Sequence, residues 1–383
     1  MSWKRLFSRS LAAAPGRLHM AAHSHHLWPD ASHEGQLAAW EDAARLADDK
    51  WDKVMGEVWP TAQRNAAAEL NLPDPGTIMF APNTHDLLLR IVSAIDRKRR
   101  PLRVLSTDGE FHSFRRQSAR WVEAGLFDLE RIAVDQPDFP SRFLERASSG
   151  GFDLIFVSHV MFGSGQVFDR LPDLAAIAGP DGPWVVVDGY HAFMAIGIDL
   201  SQVADRIFYL AGGYKYAMTG EGAAFMHAPN GFGARPEITG WFASFDELAA
   251  RQGEIGYAAD ARRYLGATFD PSALYRFNAV QAMLKREGLT TSAISAHVDA
   301  LLQRLIEQLA ATPLGKARLV NGDIRQPRAR FLAFQSPEAS GWQADLARAG
   351  IVTDSRGDVL RVGLALYHDP EDVDLFCKAA AAL

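Results

Sequence analysis

The sequence predicts an α/β fold: a large domain on a mainly parallel, doubly wound sheet, followed by a smaller C-terminal α+β domain. Three observations carry this. Short apolar runs recur through the middle of the chain, they are continuous rather than alternating, and helical stretches separate them. Strands covered by helices on both faces have that character, because neither face meets water. Length supports the second domain: 383 residues exceed what one core holds, since single cores stop growing at roughly 250–300 residues.

In chain order, residues 29–60 read as helical, with Leu37, Trp40, Ala44, Ala47 and Trp51 at three- and four-residue steps. Ile78, Met79 and Phe80 then form a strand-like run ahead of Ala81-Pro82-Asn83-Thr84 and an apolar helical pattern. Further strands are expected at 102–106, 154–158, 184–187 and 207–210, with helices at 114–124 and 171–178 among them. The last third changes rhythm. Helical patterns at 272–286 and 291–311 lead to an apolar run at 329–334, a helix at 342–349, a strand at 359–362 and a final helix from Pro370. The expected division is an N-terminal helical segment (1–69) packing on the small domain or across a dimer seam, a large α/β domain (70–271) and a small α+β domain (272–383).

Composition narrows the function classes. The formal net charge is -6, with 48% hydrophobic and 22% charged residues, so the surface has no general footprint for nucleic acid. The basic run Arg97, Lys98, Arg99, Arg100 and Arg103 reads as a solvated helix end turning at Pro101. A single cysteine, Cys377, excludes an internal disulfide and a cysteine-based zinc site. The N-terminal apolar run 11–14 is too short for a signal core and no stretch approaches a membrane span, so a cytoplasmic protein is expected.

The chemistry concentrates between Trp184 and Met226. Asp188 ends an apolar strand, and in α/β sheets the carboxyl ends of strands line the ligand crevice. It reads equally as an acid facing a site or as a cap on the following turn. His191 follows three residues later. Lys215 lies just beyond the strand at 207–210 and the pair Gly212–Gly213, between Tyr214 and Tyr216 and ahead of Thr219, Gly220 and Gly222. A lysine in so small and aromatic a loop is expected inside. Desolvation then favours the neutral amine, the form that condenses with an aldehyde. Pyridoxal 5′-phosphate (PLP) is such an aldehyde, and its pyridinium nitrogen needs a carboxylate partner, a task suited to Asp188. Asn83 or Thr84, capping the helix after the strand at 78–80, would leave free backbone N–H groups facing an anion.

The stretch 155–226 resembles the class V aminotransferase-type, fold-type I PLP enzymes, and within them the kynureninase branch. The resemblance rests on Ser158-His159-Val160 with Ser164-Gly165-Gln166, Asp188-x-x-His191 and Gly213-Tyr214-Lys215-Tyr216. It continues more weakly through Gly240-Trp241-Phe242, 353–356, Leu360-Arg361-Val362 and Leu366-Tyr367. The resemblance implies that Lys215 carries PLP as a Schiff base, Asp188 pairs with the ring nitrogen and His191 assists Asp188 or lies against the ring. It implies that Tyr214, Asn83 and Thr84 hold the phosphate and that Phe111 stacks on the ring, His112 being a second candidate. Trp241 and Thr268 would reach the phosphate from a neighbouring subunit, making a homodimer with shared sites. Arg361 would clamp the substrate α-carboxylate, its planar fork matching two oxygens, and Ser24 would face the substrate.

Several positions depart from the branch. Phe111-His112-Ser113-Phe114 replaces Phe-Pro-Ser-Asp, Ala243-Ser244 replaces Gly-His, His368 replaces Asn, and Ala22-His23-Ser24-His25-His26 replaces Gly-Asn-Ser-Leu-Gly. The histidines at 19, 23, 25, 26 and 33 match no common zinc spacing, and no metal is expected. The expected function is a PLP-dependent lyase or hydrolase cleaving a C–C or C–X bond of a small α-amino acid. The alternatives are an aminotransferase and, on the same fold, a non-catalytic binding protein.

Overall fold

The computed structural model describes residues 2–96, 100–136, 138–247, 255–322 and 329–383. Seven strands form the central sheet, in the spatial order Ile78–Ala81, Ala224–His227, Ile207–Ala211, Trp184–Asp188, Leu154–Ser158, Leu102–Thr107, Phe127–Ile132. Neighbours pair in parallel except Ala224–His227, which runs antiparallel to both strands beside it. The four central strands are buried throughout or nearly so, as their unbroken apolar sequences require. Two strands lacked that signature in the sequence. Phe127–Ile132 is an edge strand with a half-exposed, charge-bearing pattern, and Ala224–His227 has only four residues.

A second sheet of four antiparallel strands runs Asp354–Arg356, Val359–Gly363, Phe331–Gln335, Arg318–Leu319. Its helices are Thr291–Leu309, Ala339–Arg348 and Pro370–Ala380. Cys377 is buried in the last of these, and burial pushes its thiol up to about 11. The N-terminal segment is tied to this region by a short parallel pairing of Leu18–His19 with Ile351–Val352. The helical pattern at 29–60 divides into several pieces, beginning with Asp30–Leu46. A positive φ at Ala47 (49°) ends that helix, and the chain resumes with Lys50–Lys53 and then Trp59–Glu69. Asp30–Leu46 packs closely on Ser272–Arg286, where a Cβ at Gly35 would lie 2.7 Å from the Tyr275 carbonyl oxygen. Within the basic run, residues 97–99 lie outside the described residues, and Arg100 pairs with Asp153 at 2.6 Å at the surface. Among the described residues, no helix is long and apolar enough to cross a membrane.

Candidate active site

Lys215 reaches the interior through a compact loop. After the strand Ile207–Ala211, Thr219 N–H donates to the Gly213 carbonyl (2.8 Å) and Met218 N–H to the Lys215 carbonyl (2.9 Å), Met218 adopting a left-handed φ of 57°. Gly212 leaves room for a ring: a Cβ there would lie 2.4 Å from the Tyr190 hydroxyl. Lys215 is consequently only 4% exposed. Its Nζ lies 2.5 Å from His191 Nε2 and 5.0–5.7 Å from the ring centroids of Tyr190, Phe111 and Tyr214. Desolvation lowers the amine's pKa, opposed by the Asp188 carboxylate and reinforced by Arg361.

Thr84, Phe111, Ser158, Phe162, Tyr190 and Tyr214 close a pocket around Asp188, His191 and Lys215. It sits at the carboxyl ends of the parallel strands, where Asp188 and Ser158 are register partners. Asp188 Oδ1 accepts from Tyr190 N–H (2.9 Å), so the residue both caps its turn and opens onto the pocket. Desolvation raises its pKa, and Lys215 opposes that rise. The structure places His191 Nε2 on Lys215 rather than on Asp188, which leaves Nδ1 buried and unpartnered. Desolvation, then the charges of Lys215 and Arg361, lower the pKa of His191 and keep the ring neutral.

Asn83 is the N-cap of the helix Thr84–Ala94, its Oδ1 accepting from Asp86 N–H (2.9 Å), and Thr84 faces the pocket. Phe111 lines the pocket, whereas His112 is exposed and rests edge-on against Phe162. Tyr214 stacks on His25 at 4.9 Å. Trp241, 43% exposed, and the exposed Thr268 lie outside the pocket lining.

Arg361 is buried rather than an edge-strand surface residue. Its Nη2 pairs with Asp354, its Nη1 donates to the Phe162 carbonyl (2.5 Å) and its Nε has no partner. Both terminal nitrogens are thus engaged within the chain, and Nε–H is left without an acceptor. Ser24, half-buried, is not in the pocket lining and lies in the bend at 21–25, where Ser24 N–H and His25 N–H both donate to the Ala21 carbonyl. Its hydroxyl meets only the His25 ring (3.5 Å), whereas the preceding residue, His23, is fully buried beside the Arg361–Asp354 pair.

A buried carboxyl absent from the sequence reading lies behind the pocket. Glu110 accepts from Thr107 Oγ1 (2.7 Å), Ser158 N–H (3.1 Å) and Ser158 Oγ (2.5 Å). Desolvation outweighs those bonds, and with Asp188 nearby its pKa rises to about 7. A wider groove bordered by Asp108, Asp135, Arg170, Asn321 and Gln335 contains none of the candidate site residues.

No protein-family model matches the chain, and no curated protein matches it significantly. Solved structures do resemble it. The cystine C–S lyase C-DES, in a lysine-to-alanine variant with glycine covalently linked to the PLP cofactor, superposes with a TM-score of 0.83 at 17% identity, covering 100% of this chain and 99% of that one. The apo cysteine desulfurase of Thermococcus onnurineus NA1 gives 0.78 at 17% identity, with 100% of both chains covered. A cysteine desulfurase of Escherichia coli gives 0.75 at 16%, covering 97% and 96%. The chain therefore shares the α/β fold of these PLP-enzyme structures. These neighbours point to the cysteine desulfurase branch, not to the kynureninase branch that the motifs resemble.

Proposed function

We propose that the protein is a PLP-dependent lyase acting on a small α-amino acid, with Lys215 as the covalent anchor of the cofactor. One observation carries the reading: a buried amine and a half-buried carboxyl share an aromatic-walled pocket at the strand ends of a fold seen in a PLP-bound solved structure. The residues suit that group. Asp188 opens a carboxyl onto the pocket for a cationic ring nitrogen, Phe111 offers an aromatic face, and the helix Thr84–Ala94 starts at the pocket with Thr84 in its lining. The cofactor, when bound, supplies an electron sink for the carbanion formed at the substrate Cα.

The chain's own residues do the rest. Lys215 Nζ, released when the substrate amine takes its place, accepts the Cα proton as a general base, and His191 Nε2 holds that nitrogen in position. Asp188, kept from bulk water, sustains the charge partner of the ring nitrogen. Tyr214 is assigned to the phosphate and Arg361 to the substrate carboxylate, its unpartnered Nε–H being one available donor. Trp241 and Thr268, exposed on this chain, are assigned to the neighbouring site of a homodimer.

Cleavage of a C–S or other C–X bond is favoured over transfer of sulfur to the enzyme. The only cysteine sits in the last helix with its thiol held protonated by burial, so the leaving group departs as a free molecule. The Asp188-x-x-His191 and Gly213-Tyr214-Lys215-Tyr216 motifs support a second reading, kynureninase-like C–C cleavage. Purified protein mixed with PLP is expected to turn yellow, and Lys215→Ala to lose the borohydride-reducible linkage. Ammonia released from an amino acid supports the lyase. Accumulation of pyridoxamine phosphate instead assigns an aminotransferase, and a protein that takes up no PLP defeats both.

A further inference from the structure

Among the described residues six histidines are buried and a seventh, His19, is half-buried. His19, His26, His159, His227 and His368 each have a hydrogen-bond partner, at 2.6–2.9 Å, which is how a structural imidazole repays its burial. His191 has one bond, to Lys215. His23 has none: it is 0% exposed and both ring nitrogens lack a partner. Leaving a buried polar group unsatisfied is destabilising, because its desolvation is not repaid.

His23 is nevertheless held firmly. Its ring stacks on Phe331 at 4.6 Å, and Gly363 makes room for it, since a Cβ there would fall 2.2 Å from His23 Nδ1. The Nε2 atom stands 3.9 Å from Asp354, beyond hydrogen-bond reach, and that carboxylate is already taken by Arg361 and, at 2.8 Å, by Arg356. Other unpartnered buried atoms share this region: His191 Nδ1, with its ring 6.0 Å from Phe331, and Arg361 Nε, its guanidinium 5.8 Å from the same ring. Burial, then the charges of Arg361 and Lys215, keep His23 neutral, with one N–H donor and one acceptor. The arrangement lacks a polar ligand and connects to the proposed reacting amine through His191, whose ring lies 6.0 Å from Phe331 and whose Nε2 lies 2.5 Å from Lys215 Nζ.

We propose that His23 is the residue that meets the substrate side chain, and that the substrates are α-amino acids whose Cβ carries a hydrogen-bonding heteroatom group that departs as an anion. This rests on the lyase reading above. In the step, the Cα–H bond breaks and its proton passes to Lys215 Nζ. The electron pair left at Cα forms the second Cα–Cβ bond, and the Cβ–X pair leaves with X. His23 keeps its proton and donates a hydrogen bond to X as negative charge develops there. Such a donor contributes about 10²–10³-fold to a rate.

The test uses His23→Leu and His23→Gln. The full-length protein is offered L-cystine, S-methyl-L-cysteine and β-chloro-L-alanine, following ammonia release and PLP absorbance. With L-cystine, His23→Leu is expected to lose about 10²-fold in kcat/KM while retaining the cofactor band, and His23→Gln, which restores an N–H donor, to recover part of it. A second readout needs no cofactor. The thermal midpoint of the PLP-free protein should be unchanged or higher in His23→Leu, because an unsatisfied group is replaced by an apolar one. A lower midpoint, or failure of the leucine variant to fold, assigns His23 a structural role and overturns the proposal. So does wild-type activity in His23→Leu, or a wild type that binds PLP but releases ammonia from none of the three compounds. A wild type that takes up no PLP overturns the lyase reading itself.

Discussion

The Lys215 amine and the His191 ring meet at 2.5 Å inside the pocket, and no other hydrogen bond holds that amine among the described residues. A neutral imidazole at this position accepts from the amine or donates to it through Nε2, and either way it fixes the orientation of the lysine nitrogen. Replacing His191 with Phe keeps an aromatic ring but removes this hydrogen bond. The expected result is a protein that still forms the lysine-linked PLP band but removes the Cα proton about 10–100-fold more slowly, as misplacement of a reacting group does. Solvent-deuterium exchange at Cα measures this directly. An unchanged exchange rate would show that the contact is incidental.

Asp188 supports the charged form of Lys215, while desolvation opposes it. Asp188→Asn removes that support, so the amine should lose its proton at lower pH than in the wild type. The rate of PLP linkage to the cofactor-free protein, followed by absorbance against pH, should therefore rise at lower pH in the variant. Its inflection in both proteins should lie below the ordinary lysine value of 10.5. A shift to higher pH would contradict the electrostatic account.

Much of this arrangement was legible because glycine and apolar patterning speak locally. The run Leu154–Ser158 is a buried strand from end to end, and the glycine pair before Lys215 marks the loop that turns it inward. The fold class followed from such runs. What stayed hidden depends on contacts distant in sequence. Nothing near His23 shows that Phe331 and Gly363 enclose it while Ser24, one residue on, is only half-buried. Glu110 reads as a turn acid, and only its bonds to Ser158, 48 residues away, reveal a buried carboxyl. Arg361 was expected as a carboxylate clamp, and its tie to Asp354 appears only when the two strands pair.

Glu110 predicts a pH-dependent stability. Its carboxyl titrates near 7 when folded against an ordinary 4.5, because burial disfavours the anion. The unfolded chain releases this proton first, so the stabilisation present below pH 4.5 is lost as pH rises towards 7. The gap corresponds to about 3 kcal/mol. Glu110→Gln places an amide oxygen before Thr107 and the Ser158 N–H, and its NH2 can donate to Ser158 Oγ. The difference in urea midpoint between wild type and Glu110→Gln should therefore grow in the variant's favour from pH 5 to pH 8. A constant difference would show that Glu110 is ionised throughout.

The seam between Asp30–Leu46 and Ser272–Arg286 offers a test of packing independent of the pocket. At Gly35 a methyl group would meet backbone on three sides, with the Tyr275 carbonyl oxygen at 2.7 Å and the Arg276 Cα and nitrogen at 2.8 and 2.9 Å. Backbone cannot rotate away as a side-chain tip can, so the two helices must separate. Gly35→Ala should lower stability by about 1–3 kcal/mol, the usual cost of overpacking. Gly56 is exposed within Val54–Val58 and a methyl there meets nothing within 4 Å. Gly56→Ala should raise stability by up to about 1 kcal/mol, since it restricts only the unfolded chain. Thermal denaturation of the two variants side by side should thus give shifts of opposite sign. Equal shifts would mean that the helices do not approach each other as closely as Gly35 indicates.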